Sequence, residues 1–159
     1  MTPEIAPGSK LLLQEMRLIA AFAMLFLASA CTSTGVATPA APEFRTVVNA
    51  GFAQRTEPGA VVAADEVTYR NVWNSMIGNG VPPSVDFSTE TAVLLFGGQR
   101  PTGGYRVEVH GVTLEGDTLA IDGNVQGPPP GSGTTQALTS PYAVLAVQSR
   151  VIRNVRWTP

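Results

Sequence analysis

The sequence has few of the side chains from which most enzyme active sites and metal centres are built. It contains one histidine, His110, and one cysteine, Cys31, and its only lysine is Lys10. A structural zinc site takes four Cys, His or carboxylate ligands, and a catalytic triad needs a histidine beside a nucleophile. No serine stands in a Gly-x-Ser-x-Gly nucleophile elbow. We therefore expect no metal, no cofactor and no enzymatic activity.

Charge is also scarce. Charged residues make up 14% of the chain, and the formal net charge is −2. The arginines between Arg45 and Arg156 are scattered and form no basic cluster. Nucleic acids attract proteins through clustered positive charge, so this composition argues against a nucleic-acid partner. The 44% of hydrophobic residues is enough for the core of one domain.

An apolar stretch near the N-terminus leads to the only cysteine. Residues 16–17 (Met-Arg) precede an apolar run at residues 18–27, and Ala-Ser-Ala then leads into Cys31. This order is typical of a secretory signal peptide, and the run is shorter than the ~20 apolar residues that a membrane-spanning helix needs. We expect residues 1–30 to be removed as a signal peptide. Residues 1–15 do not look like its cationic start, so we expect translation to begin at Met16.

The small residues before Cys31 resemble the lipobox of bacterial lipoproteins. That resemblance implies cleavage before Cys31, acylation of its thiol (palmitate among the acyl chains) and anchoring to a membrane. Acyl chains contribute ~0.8 kcal/mol per buried CH₂, and stable attachment needs more than one chain. Ordinary cleavage after Ala30 would instead release a soluble protein, and this alternative stays open. The lipoprotein interpretation predicts a cell-envelope protein on the periplasmic face of a membrane, with the outer membrane preferred.

The rest of the chain divides into a tether and one domain. Residues 31–42 are small, uncharged and rich in Thr, Ala and Pro, which predicts a flexible tether before a domain at residues 43–159. Residues 65–77 carry apolar side chains at helical spacing, with Asp65 as the N-cap and Gly78 as the stop.

Most of the other apolar stretches are short and bounded by turn residues, as strands are. Strands are predicted at residues 44–55, 91–96, 105–109, 119–121, 142–147 and 151–157. Glu115-Gly116-Asp117 predicts a hairpin turn. The fold class is therefore mainly β (α+β), an antiparallel sandwich or open barrel covered by one amphipathic helix.

The string GGQRPTGGY at residues 97–105 is the most distinctive motif. Paired glycines on both sides of a short polar loop permit positive φ angles and close approach of another chain. We predict that this loop contacts a protein partner, helped by the proline-rich residues 128–131. The predicted contact residues are Gln99, Arg100, Pro101, Thr102, Gly103, Gly104, Tyr105 and Tyr142. A plain hairpin turn without a partner fits the same string, and this alternative stays open.

Four segments in this order resemble the C-terminal domain of the PrcB family. They are Val85-Asp86-Phe87, GGQRPTGGYRVEV, PPPG and Ser-Pro-Tyr-Ala-Val at residues 140–144. The resemblance covers residues 65–147, and the family is named for a subunit of a bacterial surface protease complex. It implies a non-catalytic accessory subunit that binds or stabilises an envelope protease.

A second resemblance implies a different function. Residues 100–105 (RPTGGY) are similar to an inhibitory loop of the chagasin-type inhibitors of cysteine proteases, and Arg156-Trp157 is similar to part of another loop. Those inhibitors insert loops of a β-sandwich into the protease cleft. Direct inhibition of a cysteine protease is therefore the alternative function.

Overall fold

The computed structural model describes residues 41–78 and 80–159, so the predicted signal peptide, Cys31 and most of the predicted tether lie outside the described residues. The described residues form strands β1 (Phe44–Ala50), β2 (Gly59–Ala63), β3 (Thr91–Phe96), β4 (Arg106–Glu115), β5 (Thr118–Gln126), β6 (Tyr142–Val147) and β7 (Asn154–Arg156), and helix α1 (Glu66–Val72) with a π-helical extension (Trp73–Ile77). Within this part of the chain, neither helical segment has the length and hydropathy that a membrane span requires.

The strands form two sheets, and their facing sides build one hydrophobic core. The first sheet has the order β1-β6-β3-β2 with antiparallel neighbours. The second has the order β4-β5-β7, in which β7 runs parallel to β5. Helix α1 and its extension pack on the other side of the first sheet and build a second core there. The predicted mainly-β fold, a sandwich with one covering helix, is confirmed.

Strands β3 and β6 lie in the middle of the four-stranded sheet and are buried along their whole length. In β3, Val93 and Leu95 belong to the core between the sheets. Leu94 and Phe96 belong to the core under the helix. A strand covered on both faces needs apolar residues at successive positions, which is why the continuous run TAVLLF predicts a central strand.

A bulge in β4 keeps one face of that strand apolar although its alternation of apolar and polar residues is broken. The register against β5 shifts between Val109 and Gly111. Val107 and Val109 pack on the core before the shift, and Val112 packs on it afterwards. His110 is the extra residue of the bulge. Before it the odd-numbered residues face the core, and after it the even-numbered residues do, so the apolar side chains on both sides of the bulge point to the same core.

The helix begins and ends where the sequence predicts. The Asp65 carboxylate accepts a hydrogen bond of 2.8 Å from the Thr68 main-chain N–H, and Gly78 ends the helix with φ +92°. Trp73 is buried, and its ring meets the Tyr142 ring edge-on at 6.1 Å. These contacts fasten the helix to the four-stranded sheet, because an aromatic side chain buries more apolar area than most others.

Two local features differ from what the sequence indicates. No strand is predicted at residues 59–63, which begin at the turn residues Pro58-Gly59, yet they form edge strand β2 beside the buried β3. Residues 97–105 do not make a hairpin turn between paired strands. They carry the chain from the four-stranded sheet into the three-stranded sheet, because β3 and β4 pair with other partners.

Candidate functional site

Three loops meet at one end of the sandwich. Ala50 ends β1 opposite Tyr142, the first residue of β6, and Phe96 ends β3 opposite both Tyr142 and Gly59, the first residue of β2. The loops that leave or enter these strand ends therefore lie side by side. We call them the three-loop end, made of residues 51–58, 97–105 and 127–141.

The pair Thr139-Ser140 joins the three loops through the main chain. The Arg100 N–H donates to the Thr139 carbonyl at 2.8 Å, and the Thr139 N–H donates back to the Arg100 carbonyl at 3.0 Å. On the other side, the Ser140 N–H donates to Gly51 and the Ala53 N–H donates to Ser140, both at 2.9 Å. Each loop is thus fixed by its neighbours, as strands are in a ladder.

The glycines of residues 97–105 allow this close packing. Gly98 and Gly104 have φ angles of +77° and +87°, which residues with a side chain rarely adopt. A Cβ atom on Gly104 would lie 2.9 Å from the Cβ atom of Pro128. The Gly103 N–H donates to the Thr135 carbonyl at 2.9 Å. The glycine pairs therefore serve the packing of the 127–141 loop against the 97–105 loop.

The side chain of Arg100 turns back onto its own loop. Its Nη2 atom donates to the Gly97 carbonyl at 2.8 Å, and its guanidinium lies over the Tyr105 ring, 5.7 Å from the ring centre. The Thr102 carbonyl accepts a 2.7 Å hydrogen bond from the Thr139 hydroxyl. Arg100 and Thr102 therefore hold the loop in shape, although both are predicted as residues that contact a partner.

The structure divides the predicted contact residues by exposure. Those that are exposed to solvent are Gln99, Pro101 and Gly104. Those that are half-buried are Arg100, Thr102 and Tyr105, and Gly103 is buried. Of the predicted contact residues in this loop, only Gln99, Pro101 and Gly104 are exposed enough for a partner to contact them fully.

Tyr142 does not lie on this surface. It is 5% exposed and packs between the sheet and Trp73 on the helix side. It starts a central strand, where both faces are covered, so burial follows from its place in the sheet. We therefore leave Tyr142 out of the contact surface.

Two exposed apolar residues that are not among the predicted contact residues lie at the same end. Phe52 is 66% exposed and Leu138 is 63% exposed. Phe52 forms an isolated bridge with Ser140, and Leu138 lies two residues before Ser140 in the chain. Their exposure is hard to predict from the sequence, because an isolated apolar residue in a loop gives no pattern that shows whether the fold buries it. Their positions follow from the tertiary structure.

The residues that sequence reasoning weighs for catalysis do not come together. His110 lies in the β4 bulge with its Nε2 atom 3.9 Å from Glu108 Oε2. Among the described residues, no three His, Cys, Asp or Glu side chains stand close enough to hold a metal ion. Apart from Arg55, Glu57 and Arg100, the polar groups of the three-loop end are main-chain groups, hydroxyls and amides, which suit recognition by hydrogen bonding.

The residues similar to a second chagasin-type loop do not lie free at the surface. Trp157 is 9% exposed and belongs to the core between the sheets. Arg156 pairs with Glu115 at 3.0 Å, beside the turn between β4 and β5. The strands β4 and β5 reach the three-loop end with their other ends, at Arg106 and Gln126. Arg156-Trp157 therefore does not lie at the end of the sandwich that carries RPTGGY.

Comparison with known proteins identifies the part of the chain that carries the site. Residues 91–148 match the family model described as PrcB C-terminal. The match begins at the first residue of β3 and ends just after β6, so it contains two of the three loops and leaves out the helix. Searches of curated proteins and of solved structures gave no match. The predicted resemblance is thus confirmed over residues 91–148, where the chain matches the PrcB C-terminal model, and its extension over the helix at residues 65–77 stays a prediction.

Proposed function

We propose that this protein is a non-catalytic, membrane-tethered subunit that binds a protein partner through its three-loop end, in association with a protease complex. The PrcB C-terminal match supports the association with a protease complex. The binding role is supported mainly by one observation. Main-chain hydrogen bonds of Thr139 and Ser140 join the three loops into one ordered surface. A surface that is ordered before binding loses little conformational entropy on association.

The position of the N-terminal strand supports the tether. β1 begins at Phe44, opposite Val147, and ends at Ala50, opposite Tyr142 at the three-loop end. Its seven residues span about 20 Å at the usual strand rise. The chain therefore enters the domain at the end opposite the loops, which is where a tether from Cys31 would attach.

The tether is tested by the substitution Cys31→Ser in the full-length protein expressed in a bacterial host. We expect the wild-type protein in the membrane fraction, with an acylated N-terminal cysteine by mass spectrometry. The Cys31→Ser variant should leave that fraction, since the attachment depends on the acyl chains. If the variant stays in the membrane fraction, the lipid tether is wrong.

The binding surface is tested with a charge added at an exposed position of the 97–105 loop, in which Arg100 is the one charged residue. Gln99→Arg puts a cation on the exposed part of the 97–105 loop, where a partner would have to bury it. Gln148→Arg is the matched control, since Gln148 is also exposed but follows β6 at the opposite end. We expect recovery of cross-linked partner to fall about tenfold for Gln99→Arg and to stay unchanged for Gln148→Arg. Equal recovery from both variants would contradict the binding site.

Inhibition of a cysteine protease is the second candidate. It is favoured by the RPTGGY loop at the end of a sandwich and disfavoured by the burial of Trp157. Titration of a papain-like enzyme with the purified full-length protein separates the two functions. Stoichiometric loss of protease activity would support inhibition, and full activity at a large excess of the protein would support the accessory role.

A further inference from the structure

Two large apolar side chains stand in water at the three-loop end. Phe52 and Leu138 are 66% and 63% exposed. Exposed apolar residues are common when they stand alone, but two large ones attached to one hydrogen-bonded segment are candidates for the centre of a contact surface. They lie in two different loops, so only the fold places both of them at this end.

Both side chains are held by the same short segment. Phe52 bridges Ser140, and the flanking main-chain bonds join Ser140 to Gly51 and to Ala53, each at 2.9 Å. Leu138 directly precedes Thr139, whose main chain is bonded twice to Arg100. Main-chain hydrogen bonds therefore hold the neighbours of Phe52 on both sides and the residue after Leu138.

The loops around these side chains carry few charges. Residues 127–141 contain no charged residue, and residues 97–105 contain only Arg100, which turns back onto Gly97. In residues 51–58, the Arg55 guanidinium donates to the carbonyls of Glu57 and Pro58 and lies over the Phe96 ring at 5.2 Å. The three-loop end therefore carries three formal charges, on Arg55, Glu57 and Arg100, and both guanidinium groups donate to main-chain carbonyls of their own loops. A strongly charged partner surface would find little complementary charge here.

We infer that Phe52 and Leu138 are the two apolar anchors of the partner-binding surface, and that the partner is a folded protein with an uncharged apolar pocket for them. This inference rests on the proposed function and adds to it the central residues and the chemistry of the partner. Interfaces of this kind are dominated by a few large side chains near the centre, ringed by polar groups that exclude water. Gln99 and Thr135 at the exposed rim supply such polar groups.

The test places a photo-reactive benzophenone amino acid at one position at a time in the full-length protein in its membrane. The positions are 52 and 138 for the anchors, 99 and 101 for the loop, and 67 and 151 as controls. Val67 and Val151 are 70% and 54% exposed and lie on the helix and after β6, away from the three-loop end. We expect strong cross-links to one protein from positions 52 and 138, and none from the control positions.

The variants Phe52→Ser and Leu138→Ser give a second readout. Each should lower recovery of that protein about tenfold. Truncating a Phe or Leu side chain that the interface buries costs more binding free energy than a tenfold change in affinity represents. Val151→Ser should leave recovery unchanged. Since all three side chains are largely exposed, the midpoint of denaturant unfolding should hardly move, which separates lost binding from lost folding.

The outcomes separate this inference from the proposed function. Cross-links from positions 99 and 101 without any from 52 and 138 would overturn the anchors and keep the proposed function. No protein cross-link from any of these four positions would overturn both. A cross-link from position 52 to a second copy of this chain would indicate a homodimer, and a cross-link to lipid would indicate a membrane surface. Either result would also overturn the inference.

Discussion

Arg100 and Thr139 exchange two main-chain hydrogen bonds, of 2.8 and 3.0 Å, between loops that lie far apart in the chain. Through this pair, the loop between the two sheets becomes part of a small ladder with the 127–141 segment. The shape of the candidate site therefore depends on both loops at once. A substitution in one of the two loops should therefore alter the conformation of the other.

The first prediction concerns the Arg100 side chain. Arg100→Ala removes the hydrogen bond to the Gly97 carbonyl and the contact with the Tyr105 ring. We expect a loss of about 1–2 kcal/mol in the free energy of unfolding, measured by urea denaturation, because the bond is charge-assisted and partly buried. The exposed Arg153→Ala serves as the control and should change stability by less than about 0.5 kcal/mol. Equal effects would show that Arg100 does not hold the loop.

The second prediction concerns Gly104. Gly104→Ala places a side chain at φ +87° and only 2.9 Å from Pro128, so we expect a cost of at least about 1 kcal/mol in unfolding free energy. Gly133→Ala is the matched control in the neighbouring loop, where a Cβ atom meets nothing within 4 Å. It should be neutral or slightly stabilising, because alanine reduces the entropy of the unfolded chain. Thermal unfolding of both variants decides this, and a neutral Gly104→Ala would contradict the close packing of the loops.

The third prediction concerns the Tyr69 hydroxyl in the core under the helix. Tyr69 is 2% exposed, and its oxygen has no hydrogen-bond partner among the described residues. Burial raises the pKa of this phenol to about 12, because the charged form cannot be solvated there. A buried hydroxyl without a partner costs free energy, so Tyr69→Phe should be neutral or stabilise the protein by up to about 1 kcal/mol. A loss of more than about 1 kcal/mol in urea unfolding would instead reveal a hydrogen bond to this oxygen.

The fourth prediction concerns pH and Glu90, which is 7% exposed. The Arg45 guanidinium binds both carboxylate oxygens, at 3.1 and 2.9 Å, and the Asp86 main-chain N–H donates to one of them at 3.0 Å. These bonds hold the pKa of Glu90 below its ordinary value of 4.5. Because the folded state binds the proton less readily than the unfolded state, the stabilisation is present above pH 4.5 and is lost as the pH falls through the lowered value.

Glu90→Gln tests this linkage. The variant should be less stable than the wild type at pH 7, and its unfolding free energy should fall less steeply below pH 4.5, since one of the titrating carboxylates is gone. The effect is smaller than for a fully buried pair, because the Arg45 side chain is 52% exposed and solvent screens it. Glu57→Gln, at an exposed position, is the control. Parallel pH profiles for wild type and Glu90→Gln would contradict the assignment.

Much of the architecture is predictable because it follows from local pattern. The helix carries its own N-cap at Asp65 and its own stop at Gly78, and each acts within one turn of the chain. The run TAVLLF predicts a central strand because only a strand covered on both faces tolerates apolar residues at every position. β2 escapes prediction because its five residues follow turn signals, and it is stabilised mainly by pairing with β3.

The candidate site is predictable only in part. The glycine pairs around residues 99–102 indicate an unusual loop, but they cannot say that Arg100 turns inward or that Tyr142 is buried under Trp73. Those outcomes depend on contacts between segments that are distant in the chain. Phe52 and Leu138 are the clearest case, since only the main-chain bonds on both sides of Thr139-Ser140 bring them to the same surface.

The sequence by itself thus determined the mainly-β class, the covering helix and the resemblance of residues 91–148 to the PrcB C-terminal family. Each of these rests on periodicity, caps or motifs that act within a few residues of the chain. Only the tertiary structure decided that residues 97–105 cross between two sheets and which side chains of the site reach solvent. Exposure depends on which distant segments pack against a residue, and that packing is a property of the whole fold.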